Sequence, residues 1–174
     1  TYSVWPDMAA RMREARIPQF TLDAHRAIGD FDVFGLSFST ELGYTNLLSM
    51  LDLAGIPLHA DERDDGDPIV VAGGHAAFNP EPIADFIDVA VLGDGEEASL
   101  HISDIVREWK QEGRPGGRDG LLERLAETGA FYIPRFYDVE YLDDGRIMRV
   151  APNRPAAPFQ VRKHTLMDLD AWPY

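Results

Sequence analysis

Three short stretches hold the residue types best suited to touch a ligand: Ser37-Phe38-Ser39-Thr40, Gly73-Gly74-His75 and Gly93-Asp94-Gly95-Glu96. Each follows an apolar run. Hydroxyls bond phosphate or amide groups, and glycines let a backbone approach a ligand closely. Small residues also make tight turns between strand and helix, so each stretch has an architectural alternative. His75 offers a ring nitrogen to a metal or an axial position, or a hydrogen bond within its own turn. His25, His59, His101 and His164 show no metal-ligand spacing. Glu96 and Glu97 have the chemistry of acid–base groups, yet a helix N-terminus also welcomes negative charge. Tyr44 and Asn46 either line a pocket beyond the first apolar run or begin a helix. The carboxylates between Asp61 and Asp67 lack calcium-loop spacing and read as a solvated surface loop.

The elements that must hold these stretches follow from periodicity. Pro6-Asp7 opens a helix, with Met8, Met12 and Ala15 recurring along one face. "IPQFT", Ile17 to Thr21, reads as a short strand. "DVFGLSFST", Asp32 to Thr40, is nearly continuous in apolar residues, which suits a strand covered on both faces of a parallel sheet. Leu47, Leu48, Met50, Leu51 and Ala54 form a helical stripe that Gly55 and Pro57 stop. "IVVAGG" is the next strand, followed by a short helix near Pro82 to Phe86. "DVAVLGDGEE" is another strand with its exit loop. Ala98, Ile102, Ile105, Val106 and Trp109 then mark an amphipathic helix closed by Gly113.

Strand, loop and helix thus alternate three times. That pattern predicts an α/β fold, Rossmann-like or flavodoxin-like, with a mostly parallel sheet flanked by helices. Ligands settle beyond the carboxyl ends of such strands, where the three stretches fall. After Arg118 the pattern changes. Leu121, Leu122 and Leu125 mark one more helix, and "FYDVEYLDDGRIMRV" reads as a β-hairpin turning at Asp144-Gly145. "APNRPAAP" and the residues after it read as a linker or a wrapping arm. The expected organisation is an α/β domain over residues 1–117, a helix and hairpin appendage over 118–150, and a linker over 151–174.

Composition narrows the function classes. The chain has 174 residues, 45% of them hydrophobic, enough for one domain with a real core. It contains no cysteine, so it offers no thiolate to zinc or to an iron–sulfur cluster. A formal charge of −14 argues against nucleic acid as a partner. No apolar run approaches the length of a membrane span and no signal peptide is visible, so a cytoplasmic setting is expected. No Gly-x-Gly-x-x-Gly opens a helix after a strand, which weakens a flavin or nucleotide reading.

The segments "FDVFGLSFSTELGYTNLLSMLDLAGIP", "VVAGGHAAFNPEPIADFIDVAVLGDGEE" and "FYIPRFYDVEY" together resemble the N-terminal region of a family of radical S-adenosylmethionine (radical SAM) proteins. The resemblance implies a cobalamin-binding-like domain preceding a barrel that carries a Cys-x3-Cys-x2-Cys cluster motif. It implies that the chain is an excised piece lacking the first strand. It also implies that the [4Fe–4S] cluster and S-adenosylmethionine belong to the full-length protein alone, with the barrel of the same polypeptide as partner.

Cobalamin-binding folds carry Asp-x-His-x-x-Gly, Ser-x-Leu and Gly-Gly. Ser37-Phe38-Ser39 and Gly73-Gly74 match the later two, with serine in place of leucine. "DAHRAIG", Asp23 to Gly29, looks like the first, but its glycine is one residue late and it lies too close to Ser37. On this resemblance the cofactor-facing residues are Ser37, Ser39, Thr40, Gly73, Gly74, His75, Gly93, Gly95 and Glu96. The full protein would hold cobalamin, or use what descends from that pocket, above its active site. The alternative is a cofactor-free scaffold that docks the barrel or another protein, and Phe78 or Tyr44 plugging the strand ends would favour it. The aromatic strip from Phe131 to Tyr137, with Tyr132 pointing outward, is the expected docking surface.

Overall fold

Apolar runs without alternation must be covered on both faces, and the sheet shows how. The computed structural model describes residues 3–172. Strands β1 (Val33–Ser37), β2 (Ile69–Gly73) and β3 (Val89–Val91) are parallel, and β4 (Phe131–Tyr132) runs antiparallel beside β3. The order is β1-β2-β3-β4, so chain order and spatial order coincide.

Helices α2 (Tyr44–Ala54), α3 (Gly95–Gln111) and α4 (Gly117–Glu127) flank this sheet, and α1 (Pro6–Ala15) packs on α2 through Ala9, Met12 and Leu53. Right-handed crossovers that step the same way across a sheet put their connections on the same face. Accordingly α2, which links β1 to β2, and the 74–88 connection, which links β2 to β3, bury one cluster together. It joins Phe34, Leu36, Leu47, Leu51, Val70 and Ile83. Helices α3 and α4 cover the other face, where Val71, Val89, Ile102, Trp109, Leu122 and Leu125 meet. Leu47, Leu51, Leu122 and Leu125 are fully buried, each stabilising the fold by about 1.5–3 kcal/mol through water exclusion. Gly55 ends α2 in the left-handed conformation (φ 70°), its N–H returning to the Asp52 and Leu51 carbonyls.

Several expectations need correction. Residues 17–21 make no strand, only one antiparallel bridge between Phe20 and Ala27. The helix near Pro82 is 3-10, Glu81–Phe86. Helix α4 spans the expected 117/118 boundary, and its leucines share the core of α3, so it is no appendage. The acidic loop after His59 is not wholly solvated, because Arg63 within it is buried.

The aromatic strip is corrected too. Phe131 and Phe136 are fully covered and Tyr132 is only 7% exposed, because β4 joins the main sheet and turns these rings into the two cores. They are core, not a docking surface.

Strands β5 (Tyr137–Tyr141) and β6 (Ile147–Pro152) form the expected hairpin, turning through Gly145 (φ 83°). The stretch read as a linker folds back on the domain. Arg162 donates its backbone N–H to Gly129 O, and His164 forms a parallel bridge with Gly93. Among the described residues no helix is long and apolar enough to cross a membrane.

Candidate functional site at the carboxyl edge

Because β1, β2 and β3 are parallel, Thr40, Gly74 and Gly95 follow strand ends on one edge of one sheet. Ser37 pairs in register with Gly73. Ser37, Ser39 and Thr40 line a cleft of about 340 Å³, closed by Leu36, Phe38 and Asn46. This cleft gathers the hydroxyl-bearing part of the candidate set. The Gly73-Gly74-His75 and Gly93-Gly95-Glu96 stretches lie along the same edge outside it.

Both middle glycines have a local reason to be glycine. Gly74 has φ 86°, and a Cβ there would stand 2.6 Å from Phe38 O. The β1 exit loop crosses at that point: Phe38 donates its N–H to Gly73 O (2.8 Å), and Ala76 donates to Phe38 O (3.0 Å). Gly93 has φ 107°, and a Cβ there would stand 2.0 Å from His164 O. The returning C-terminal segment occupies that space. At both stations the room left by the missing side chain is filled by the chain's own backbone.

Tyr44, the first residue of α2, sits over the β1 and β2 ends. Its ring meets Phe38 edge-on at 5.6 Å, and its hydroxyl lies 2.8 Å from both the Ala76 and Asn79 carbonyls, donating its proton between them. Burial, and then the charge of Glu41, raises the Tyr44 phenol above its ordinary value. The hydroxyl is therefore a donor at physiological pH and ties the two loops together. Phe78, by contrast, is half exposed and plugs nothing. His75 and Glu96 are exposed, and Gly95 opens α3 with free space where a Cβ would stand. No group of His, Asp and Glu that could hold a metal occurs among the described residues.

Three features had no signal in the sequence. Asp94, at the N-cap of α3, makes no capping bond; its Oδ2 accepts the Leu166 N–H at 2.7 Å instead. Tyr132 donates to Glu81 Oε1, and burial first, then that bond, raises the Tyr132 phenol far above its ordinary value. The Tyr132–Glu81 pair lies beside a separate cleft of about 500 Å³, whose walls include His59, Glu81, Asp85, Tyr137 and Tyr141.

The third feature is a buried charge cluster on the amino side of β2 and β3. Asp88 Oδ2 accepts Arg63 Nη1 (2.9 Å), Arg118 Nη2 (2.8 Å) and the Val70 N–H (2.8 Å). Burial lowers the Arg63 guanidinium, and Asp88 opposes that shift. The cluster ties the acidic loop, β3 and α4 into one body, far from the carboxyl edge.

A family model described as "Radical SAM proteins, N-terminal" matches residues 1–134 of the 174, and the chain belongs to that family. No curated protein and no solved structure matches the chain.

Proposed function

We propose that this chain is the non-catalytic accessory domain of a radical SAM protein and that the carboxyl edge of its sheet docks against the catalytic domain of the same polypeptide. The carrying observation is the apolar character of that edge. Leu42 (88% exposed) and Phe78 (52%) follow the β1 and β2 ends, and Met167 (90%) is the arm residue next to Leu166, whose N–H is held by Asp94 beyond β3. Exposed apolar groups gathered on one edge mark a surface meant to be covered. In this role the domain is a scaffold. Its β2 and β3 ends are held shut by its own backbone and by Tyr44, and the chain has no cysteine with which to share in cluster chemistry. The test is Leu42→Glu with Phe78→Glu in the full-length protein, read by hydrogen exchange of both domains. The expected result is faster exchange on the catalytic domain's facing surface with the sheet amides unchanged. Unchanged protection on that surface would overturn the docking reading.

A second reading is favoured by the cleft at Ser37, Ser39 and Thr40. There a bound cobalamin would set its corrinoid amide groups against three hydroxyls. Purifying the full-length protein with and without hydroxocobalamin distinguishes the two. The scaffold reading expects no retained visible absorbance. The cobalamin reading expects stoichiometric absorbance that falls in Ser39→Ala with Thr40→Ala.

A further inference from the structure

The C-terminal arm and the start of α3 compete for one carboxylate. Asp94 has the backbone of an N-cap (φ −74°, ψ 135°), and a side-chain oxygen there ordinarily accepts the N2 or N3 N–H, here Glu96 or Glu97. It does not do so. The Asp94 carboxylate takes the Leu166 N–H, its own N–H goes to His164 O (3.2 Å), and His164 returns its N–H to Leu92 O (2.7 Å). The His164 ring lies against Phe131 (5.2 Å), with Nε2 3.0 Å from Ala130 O. Arg162 holds Thr128 O and Gly129 O. Gly93 is the one residue type that lets the arm sit this close.

We propose that Asp94 is a two-position latch: with the arm seated it holds Leu166, and with the arm lifted it caps α3. Both positions satisfy the carboxylate, so the capping bond offsets part of what lifting the arm costs, the remainder being the His164 bonds to Leu92 O and from the Asp94 N–H. The exchange links displacement of the chain beyond Leu166 to the order of the α3 N-terminus, which lies on the carboxyl edge. Glu96 and Glu97 already favour that helix end electrostatically, so the gain on capping falls on the N–H groups themselves. Met167 of the arm also belongs to the edge proposed to dock, but the latch is tested on amides of this chain alone, so its failure and the failure of the docking reading are distinguishable.

The test is amide exchange on the intact chain carrying Asp94→Ser or, separately, His164→Pro. Serine caps a helix well but is too short to reach Leu166. The expected result is about tenfold faster exchange at Leu166, the effect of losing a bond to a charged acceptor. Exchange at Glu96 or Glu97 should become several-fold slower. His164→Pro removes the donor to Leu92 O and lifts the arm from its other side. It should likewise slow Glu96 or Glu97, an effect that Asp94→Ala added to it abolishes. Amides of β1 to β3 should be unchanged and serve as the folding control. Movement of the arm and helix amides in the same direction, or no change at the helix start, would overturn the latch.

Discussion

Replacing Asp88 by alanine should be among the most damaging single changes this chain can suffer, although Asp88 lies away from the candidate site. Its side chain is fully covered, as is that of Arg63, and Arg118 is 6% exposed. Alanine leaves two guanidiniums inside the protein without their shared counter-charge. Neither can swing into water, because each is pinned to backbone carbonyls: Arg63 to Pro57, Leu58 and Phe86, Arg118 to Asp64, Asp67 and Pro68. Breaking a buried pair from one side costs about 3–5 kcal/mol. At roughly 2–4 °C per kcal/mol for a chain of this size, the melting temperature should fall by about 6–20 °C.

Asp88→Asn keeps an acceptor oxygen and should cost less. Buried ion pairs can often be exchanged for apolar residues at little cost. That route is closed here, since the triple variant Arg63→Met, Asp88→Leu, Arg118→Met would orphan six carbonyls and should be no more stable than Asp88→Ala. Urea and thermal unfolding followed by circular dichroism and by tryptophan emission measure all three. A melting shift under about 2 °C for Asp88→Ala, or a triple variant as stable as the wild type, would refute the reasoning.

Two further outcomes are expected. Burial raises the phenols of Tyr132 and Tyr137 in the folded state, Tyr137 to about 12. A raised folded value favours the neutral form, so this contribution to stability is complete below the unfolded value near 10. It is lost as pH climbs from there through 12. Unfolding free energy should therefore be insensitive to these groups at neutral pH and fall steeply above pH 10, and ultraviolet titration should find phenols that ionise only with unfolding. Ionisation of every tyrosine near pH 10 in the folded protein would contradict their burial. Phe136→Ala should cost about 3–5 kcal/mol by opening a cavity in the α3–α4 core, measured by chemical denaturation; a loss below 1 kcal/mol would contradict its full burial.

The parallel sheet was legible because its strands are unbroken apolar runs closed by small residues, as at Val70 to Gly74, and because α2 and α3 carry clean helical stripes. The shared edge followed from that alternation. Strand β4 was not legible: two residues carry no period, and Phe131-Tyr132 read as part of an aromatic strip running to Tyr137. The role of Arg63 was hidden because a charge run such as "HADERDDGDP" is ordinarily solvated, and its burial depends on Asp88, 25 residues away. Gly93 read as a glycine either admitting a ligand or making a tight turn. What approaches it was not legible, because the neighbour that excludes a side chain there comes from 71 residues further along.

The hairpin has a consequence of a different kind. Its near half, Tyr137 and Val139 with Val150 to Pro152, rests against the domain and Tyr141 borders the cleft beside His59 and Asp85, while Ile147 and Met148 toward the turn are exposed. Nothing in either core depends on the turn at Asp144-Gly145. The length of this ribbon is therefore free to drift between homologues, and it is where a reporter or affinity sequence can be spliced into the chain without disturbing its sheet.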